Sequence, residues 1–295
     1  MNTVFAAQSA PRAASIDPAT HLGLASLDVA DGERSLRLYR DVLGFTVLEN
    51  TAGRIVLGAG STPLLELLVQ PGLRPRPRRT TGLYHVAILL PTRLDLAHVL
   101  KRIIAARVEL GASDHLVSEA LYLSDPDGNG LEIYRDRPRA EWRRQPNGQI
   151  AMETLRLDLA DVLAEISGVD GAAAGLPDGT TVGHMHLQVG DLNQAWAFYG
   201  EVLGFELMVT YPGALFLAAG GYHHHLGLNV WESAGAPPAP AGSAGLRSFS
   251  VLLPNQDALD AVLARVAAAG LSAIQQPAGF TVADPWGNRV VLALA

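Results

Sequence analysis

The 295-residue chain contains no cysteine. Disulfides, zinc–thiolate centres and iron–sulfur clusters are therefore excluded, and any metal must be held by histidine and carboxylate. A chain without cysteine needs no oxidising compartment, and the cytoplasm is the expected location. Charge is scarce, at 17% of residues, against 48% hydrophobic, so a real core is expected rather than disorder. A basic excess is also missing. Lys and Arg number 22 against 29 Asp and Glu, a formal net charge of −7, which makes nucleic acid an unsuitable partner. No apolar run approaches the length of a membrane span, so no membrane association is expected. The first 17 residues lack a basic segment before a solid apolar one and read as a flexible leader. One basic run, "LRPRPRR" at 73–79, reads as a solvated loop, because its prolines break any regular element.

What the chain does have is an internal repeat. "DGERSLRLYRDVLGFTV" (31–47) matches "DLNQAWAFYGEVLGFEL" (191–207), with Tyr39/Tyr199, Leu43/Leu203, Gly44/Gly204 and Phe45/Phe205 in register. "GLYHVAILLP" (82–91) matches "GLRSFSVLLP" (245–254), and "SDPDGNGLEIY" (124–134) matches "ADPWGNRVVLA" (283–293). Three blocks in one order mean a duplication, with halves at 18–138 and 181–295. Between them, 139–180 is a linker, in which "TLRLDLADVLAEIS" (154–167) predicts an amphipathic helix and "GVDGAAAGLPDGTT" a flexible link.

Each half divides again. "LGLASLDVAD" alternates apolar and polar residues as a half-buried strand does. Leu36, Tyr39, Val42 and Leu43 then share one helix face, with Gly44 as a C-cap. Short strands follow, and the next quarter repeats the order. The fold class is α+β, built from four βαβββ modules that start near residues 22, 83, 183 and 246.

The first and last strands of such a module line one concavity, so their matched positions are the candidate functional sites. The first strands offer Leu24, His85, His184 and Ser248. The last strands offer Glu66, Glu132, the run His223–His225, and Val291. His21 has the wrong strand parity to replace Leu24. Glu132 stands alone in an apolar strand, where an unpaired carboxylate is costly; pairing or a metal would remove the cost. His184 and His186 share a face, so one of them suffices for a site. Tyr122 alone would be a core aromatic with a polar tip. Asp125, Pro126 and Gly128 are turn formers. Trp142, Trp231 and Trp286 read as packing residues.

The four-module repeat resembles the vicinal oxygen chelate superfamily of glyoxalases, bleomycin resistance proteins and dioxygenases. The resemblance implies that the modules form two barrels. The segment His115, Leu121, Tyr122, Asp125, Pro126, Gly128 and Glu132 resembles the signature of type I extradiol ring-cleavage dioxygenases. "GLYHVAILLP", "SEALYLSDPDGNGLEIYRDRP" and "GGYHHHLGLNVW" are similar to the catechol 2,3-dioxygenase-like proteins of bacilli. Ser113 is a minor departure, two residues before the signature histidine. The resemblance implies His85, Glu132 and His184 as ligands of Fe(II), with Mn(II) able to occupy the same set. It implies His224 as the acid–base residue, and Tyr122 and His115 at the substrate, a small aromatic diol cleaved with O2 to a semialdehyde. A glyoxalase-type lyase using Glu66 as a further ligand, and a metal-free binding protein, are the rival readings.

A second departure carries structural weight. The family's usual site lies in the fourth module, whereas here the signature falls in module two and module four is vacant. Pairing modules one with two and three with four would leave neither barrel a full ligand set. Pairing two with three unites His85, Glu132, His184 and His224. That crossed pairing is the expectation, with pairing across a homodimer as the alternative.

Overall fold

A computed structural model describes residues 15–168 and 175–295. Most of the leader expected at 1–17, and part of the link expected at 168–181, lie outside the described residues. Module one comprises β1 (His21–Val29), α1 (Gly32–Leu38), β2 (Thr46–Thr51), β3 (Arg54–Ala59) and β4 (Thr62–Val69). Module two has β5 (Gly82–Leu90), α2 (Arg93–Ala105), β6 (Gly111–Asp114), β7 (Ser118–Ser124) and β8 (Gly130–Asp136). The linker contributes a two-residue strand, β9 (Leu155–Arg156), and α3 (Leu159–Ala164). Module three has β10 (Thr181–Gln188), α4 (Leu192–Ala195), β11 (Glu206–Tyr211), β12 (Ala214–Ala218) and β13 (Leu226–Asn229). Module four has β14 (Gly245–Leu253), α5 (Gln256–Ala268), β15 (Ile274–Gln276), β16 (Gly279–Ala283) and β17 (Arg289–Leu294).

The strands form two curled sheets, and the pairing is crossed. One sheet runs β11-β12-β13-β10-β5-β8-β7-β6-β9, joining module three to module two. The other runs β15-β16-β17-β14-β1-β4-β3-β2, joining module four to module one. The seams are antiparallel: β5 lies on β10 with His85 opposite His186, and β1 lies on β14 with Ser26 opposite Ser248.

Two repeated contacts explain how sequential modules stay docked while their sheets pair elsewhere. The buried Tyr39, on the helix of module one, donates its hydroxyl to Asp125 Oδ2 in the turn of module two, at 3.1 Å. Tyr199 does the same to Asp284 Oδ2 in module four, at 3.0 Å. Arg102 of α2 caps the carbonyls of Val42 and Leu43 at the end of module one's helix, and Arg265 of α5 caps Val202 and Leu203. These carbonyls end π-helical turns at Tyr39–Leu43 and Trp196–Val202, and exposed helix-end acceptors need such partners. The helix starts are capped as their sequences require. Asp31, Asp191 and Asn255 accept from the third backbone N–H beyond them, and Thr92 with Asp95 closes a capping box. Gly44 ends the first helix at φ 88°, and Gly128 closes the "DPDG" turn at φ 87°, a region glycine enters without steric cost.

Two expectations are corrected. The linker helix is shorter than 154–167. Leu155–Arg156 instead extend the sheet beside β6, and Asp158 caps the helix by accepting from Ala160 and Asp161. The basic run is not wholly solvated. Arg76 turns inward, donates to Thr80 O (2.6 Å) and Leu83 O (2.7 Å), and reaches Gln188 of module three. It thereby pins the connection between modules one and two to the seam.

Candidate metal centre and active site

β8 presents Glu132, Tyr134 and Asp136 on one face, because side chains alternate along a strand. β5 and β10, antiparallel neighbours beside it, bring His85 and His184 to the same place. His184 Nε2 lies 3.0 Å from Glu132 Oε2, and His85 Nε2 lies 2.9 Å from the same oxygen. All three side chains are buried. The ligand atoms of the trio lie within 4.8 Å of one another. Burial alone would raise the pKa of Glu132, yet the imidazoles of His184 and His85 hold it well below the usual carboxylate range. Burial lowers His184, against the pull of Glu132.

The donor set fits a divalent cation. His85 Nε2 is buried with no aligned hydrogen-bond partner, so its approach to Glu132 is close but out of line. Nitrogen and oxygen donors about 2.1 Å from one ion, at right angles, would stand about 3 Å apart, matching the two separations found here. Two imidazoles and one carboxylate on one side of an ion leave other positions open. Among the described residues no second carboxylate joins the trio. The position in module three that corresponds to Glu132 is Gly227, seated opposite His186 as Glu132 is opposite Ala87. A Cβ at Gly227 would fall 2.8 Å from the His186 ring, so the position admits no larger residue without movement.

The trio opens on a cavity of about 1010 Å³, also lined by Tyr84, His115, Tyr122, Phe216, His224 and Trp231. Tyr122 stands opposite Glu132 in the β7–β8 ladder, and its hydroxyl lies 2.7 Å from His115 Nε2. His115 Nδ1 lies 2.7 Å from the carbonyl of Glu153 in the linker, so His115 donates there and its Nε2 receives the Tyr122 hydroxyl. Burial raises Tyr122 well above the normal phenol range, reinforced by the charge of Glu132, so the group stays a neutral donor. The His224 ring lies 4.1 Å from that of His184, and burial, then His184, lowers its pKa well below the usual imidazole value. Its Nδ1 is taken by His223 at 2.8 Å, which leaves Nε2 for a bound molecule.

The structure thus gathers His85, Glu132, His184, His224, Tyr122 and His115 around one cavity. His186 also lines it, bonded to Asn229 at 3.0 Å. Glu66 lies in the other sheet, where it accepts from Ser26 (2.6 Å) and Arg54 (2.6 Å), remote in topology from the trio. Trp142 and Trp286 pack, as expected, but Trp231 is 45% exposed and forms part of the cavity wall beside Tyr84. Sequence reasoning offered His223 only as one of the run His223–His225 and missed Asp136, which meets His223 behind His224. The signal was present for Asp136, in the two-residue spacing from Glu132 through Tyr134.

The family model described as the Glyoxalase/Bleomycin resistance protein/Dioxygenase superfamily matches residues 20–133 and 181–292. The chain belongs to that superfamily. It is 47% identical over 275 residues to a protein of Bacillus subtilis strain 168 named catechol-2,3-dioxygenase, covering 92% of this chain and 96% of the relative. Among solved structures, a Bacillus subtilis protein provisionally described as a dioxygenase superposes with a TM-score of 0.63 at 12% identity, covering 95% of this chain and 86% of that one. Glyoxalase I from Zea mays superposes at 0.56 and 18% identity, covering 93% and 92%. At these identities the solved structures bear on the fold alone. Among the described residues no helix is long and apolar enough to cross a membrane.

Proposed function

We propose that the chain is an extradiol, catechol 2,3-type dioxygenase that uses Fe(II), or Mn(II) in the same ligands, to cleave a catechol-type diol with O2. The observation that carries this reading is the junction of His85 and Glu132 from module two with His184 from module three, at the base of a cavity that also presents His224, Tyr122 and His115. The relative named catechol-2,3-dioxygenase, similar over nearly the whole chain, supports it.

His85, Glu132 and His184 would hold the metal, which when bound would supply the redox chemistry for an aromatic diol and O2. The remaining work falls to the protein. The cavity binds the ring between Tyr84, Phe216 and Trp231 and fixes its hydroxyls toward the trio, making the encounter effectively intramolecular. His224, neutral through burial, takes a proton from the diol at Nε2 and returns it when the ring opens. Tyr122, held beside the trio by His115 in the resting site, turns its hydroxyl proton from His115 to a reacting oxygen as charge develops there. The product is a ring-opened semialdehyde.

The lyase reading loses support because Glu66 is committed to Arg54 and Ser26 in the other sheet, and Gly227 offers no fourth ligand. The test is anaerobic loading with Fe(II), then catechol and air, with absorbance of the yellow product as readout. Colour absent from Glu132→Ala and His184→Ala supports the proposal. No colour from a metal-loaded wild type, across catechols and hydroquinones, sinks it.

A further inference from the structure

We infer that Asp136 and His223 act as a positioning pair that fixes His224 in one tautomer, with the proton on Nδ1 and a bare Nε2 facing the cavity. Neither residue belongs to the ligand trio, and neither lines the cavity.

The inference follows from a chain of short contacts with one consistent direction. A carboxylate only accepts. Asp136 Oδ1 lies 2.8 Å from His223 Nε2, so His223 carries its proton there. With its one ring proton spent on Asp136, His223 presents a bare Nδ1. That atom lies 2.8 Å from His224 Nδ1, which must donate. The proton on His224 is thereby placed on Nδ1, and Nε2 is left with its lone pair. The same logic orients the histidine of a serine hydrolase through its buried aspartate.

The pair is itself held firmly. Tyr222 donates its hydroxyl to Asp136 Oδ2 at 2.8 Å, and Tyr134 lies 2.9 Å from Tyr222 as the next donor. Both carboxylate oxygens are therefore occupied, and the group cannot turn away from His223. His223 is fully buried and walled by the rings of Tyr222 (4.1 Å) and Trp142 (5.2 Å). The elements explain the precision. Asp136 ends β8, four residues beyond Glu132 on the same strand face, while Tyr222, His223 and His224 lie on the β12–β13 connection of module three. The strand that supplies the carboxylate of the metal centre thus also orients the base across the module seam. A general base with its proton on the wrong nitrogen cannot accept the diol proton, so tautomer control bears directly on rate.

The proposal rests on the dioxygenase reading for its catalytic consequence, but not for its test. Protein labelled with 15N-histidine and loaded with diamagnetic Zn(II) is examined by long-range 1H–15N correlation, with resonances assigned by single His→Gln changes. His224 is expected as the Nδ1–H tautomer and His223 as the Nε2–H tautomer. In Asp136→Ala both preferences are lost, and Asp136→Glu restores them. A wild-type His224 carrying its proton on Nε2 overturns the proposal without any variant, so a variant that fails to fold does not protect it. An unchanged His224 tautomer in Asp136→Ala overturns it as well. In the Fe(II)-loaded enzyme, Asp136→Ala is expected to lower kcat on the order of 10²-fold with KM little changed. Shifted tautomers with unchanged kcat would leave the positioning intact and overturn the base role of His224 instead.

Discussion

His225 offers a prediction about pH that can be worked through in numbers. It follows His224 on the β12–β13 connection and is 9% exposed. Its Nδ1 accepts the backbone N–H of Ala219 at 3.1 Å, so protonation would set two donors face to face. Burial, then the neighbouring His223, lowers its pKa from 6.5 to about 3. The sign follows from linkage. The unfolded chain protonates near 6.5 and the folded chain does not until about pH 3, so stability is full above 6.5 and is lost as pH falls between those values. At pH 5 the unfolded state gains a factor of about 33 from this one group, worth about 2 kcal/mol, against almost nothing at pH 7.5. The perturbation is His225→Asn, whose Oδ1 can keep the Ala219 bond without titrating. The assay is urea unfolding of metal-free protein at both pH values, comparing the loss in each variant. Wild type should lose about 2 kcal/mol more than His225→Asn over that interval. Any cavity left by the smaller side chain lowers both asparagine values together and cancels. Equal losses would refute the reasoning.

Three further outcomes are expected. Tyr39→Phe and Tyr199→Phe each remove a buried hydrogen bond to a carboxylate, should each cost about 2 kcal/mol in unfolding experiments, and should add in the double variant because they share no partner. Glu66→Ala should leave the bound metal per chain unchanged in elemental analysis, since Glu66 serves Arg54 and Ser26. Trp231→Ala, at the exposed rim of the cavity, should raise KM for a bulky catechol in steady-state assays while kcat holds, because Trp231 is no part of the ligand trio and offers only apolar wall.

Much of the architecture was legible because the repeat is written in residues whose roles recur. Tyr39 and Tyr199 clasp equivalent turns, and Gly44 and Gly204 end equivalent helices at positive φ. The crossed pairing was legible from chemistry rather than pattern: two histidines and a carboxylate, His85, Glu132 and His184, come together only when modules two and three are joined. Other features resisted reading for physical reasons. The prolines around Arg76 look like solvent-facing linker sequence, yet an arginine fork satisfies three acceptors that no local pattern announces. Leu155–Arg156 became an edge strand because β6 had an unpaired flank, a tertiary demand that outweighed helical periodicity. Three consecutive histidines cannot be told apart by spacing. Their separate duties, His223 toward Asp136, His224 toward the cavity and His225 toward Ala219, exist only once the connection is folded.

The central claim is that one metal ion is held jointly by modules two and three. The most direct measurement is an anaerobic titration of chelator-stripped protein with Fe(II), in wild type and in His85→Ala, Glu132→Ala and His184→Ala. One ion per wild-type chain is expected, with binding lost in all three folded variants, including the one whose residue lies in the other half of the sequence. Retention of wild-type affinity by folded His184→Ala would contradict the claim.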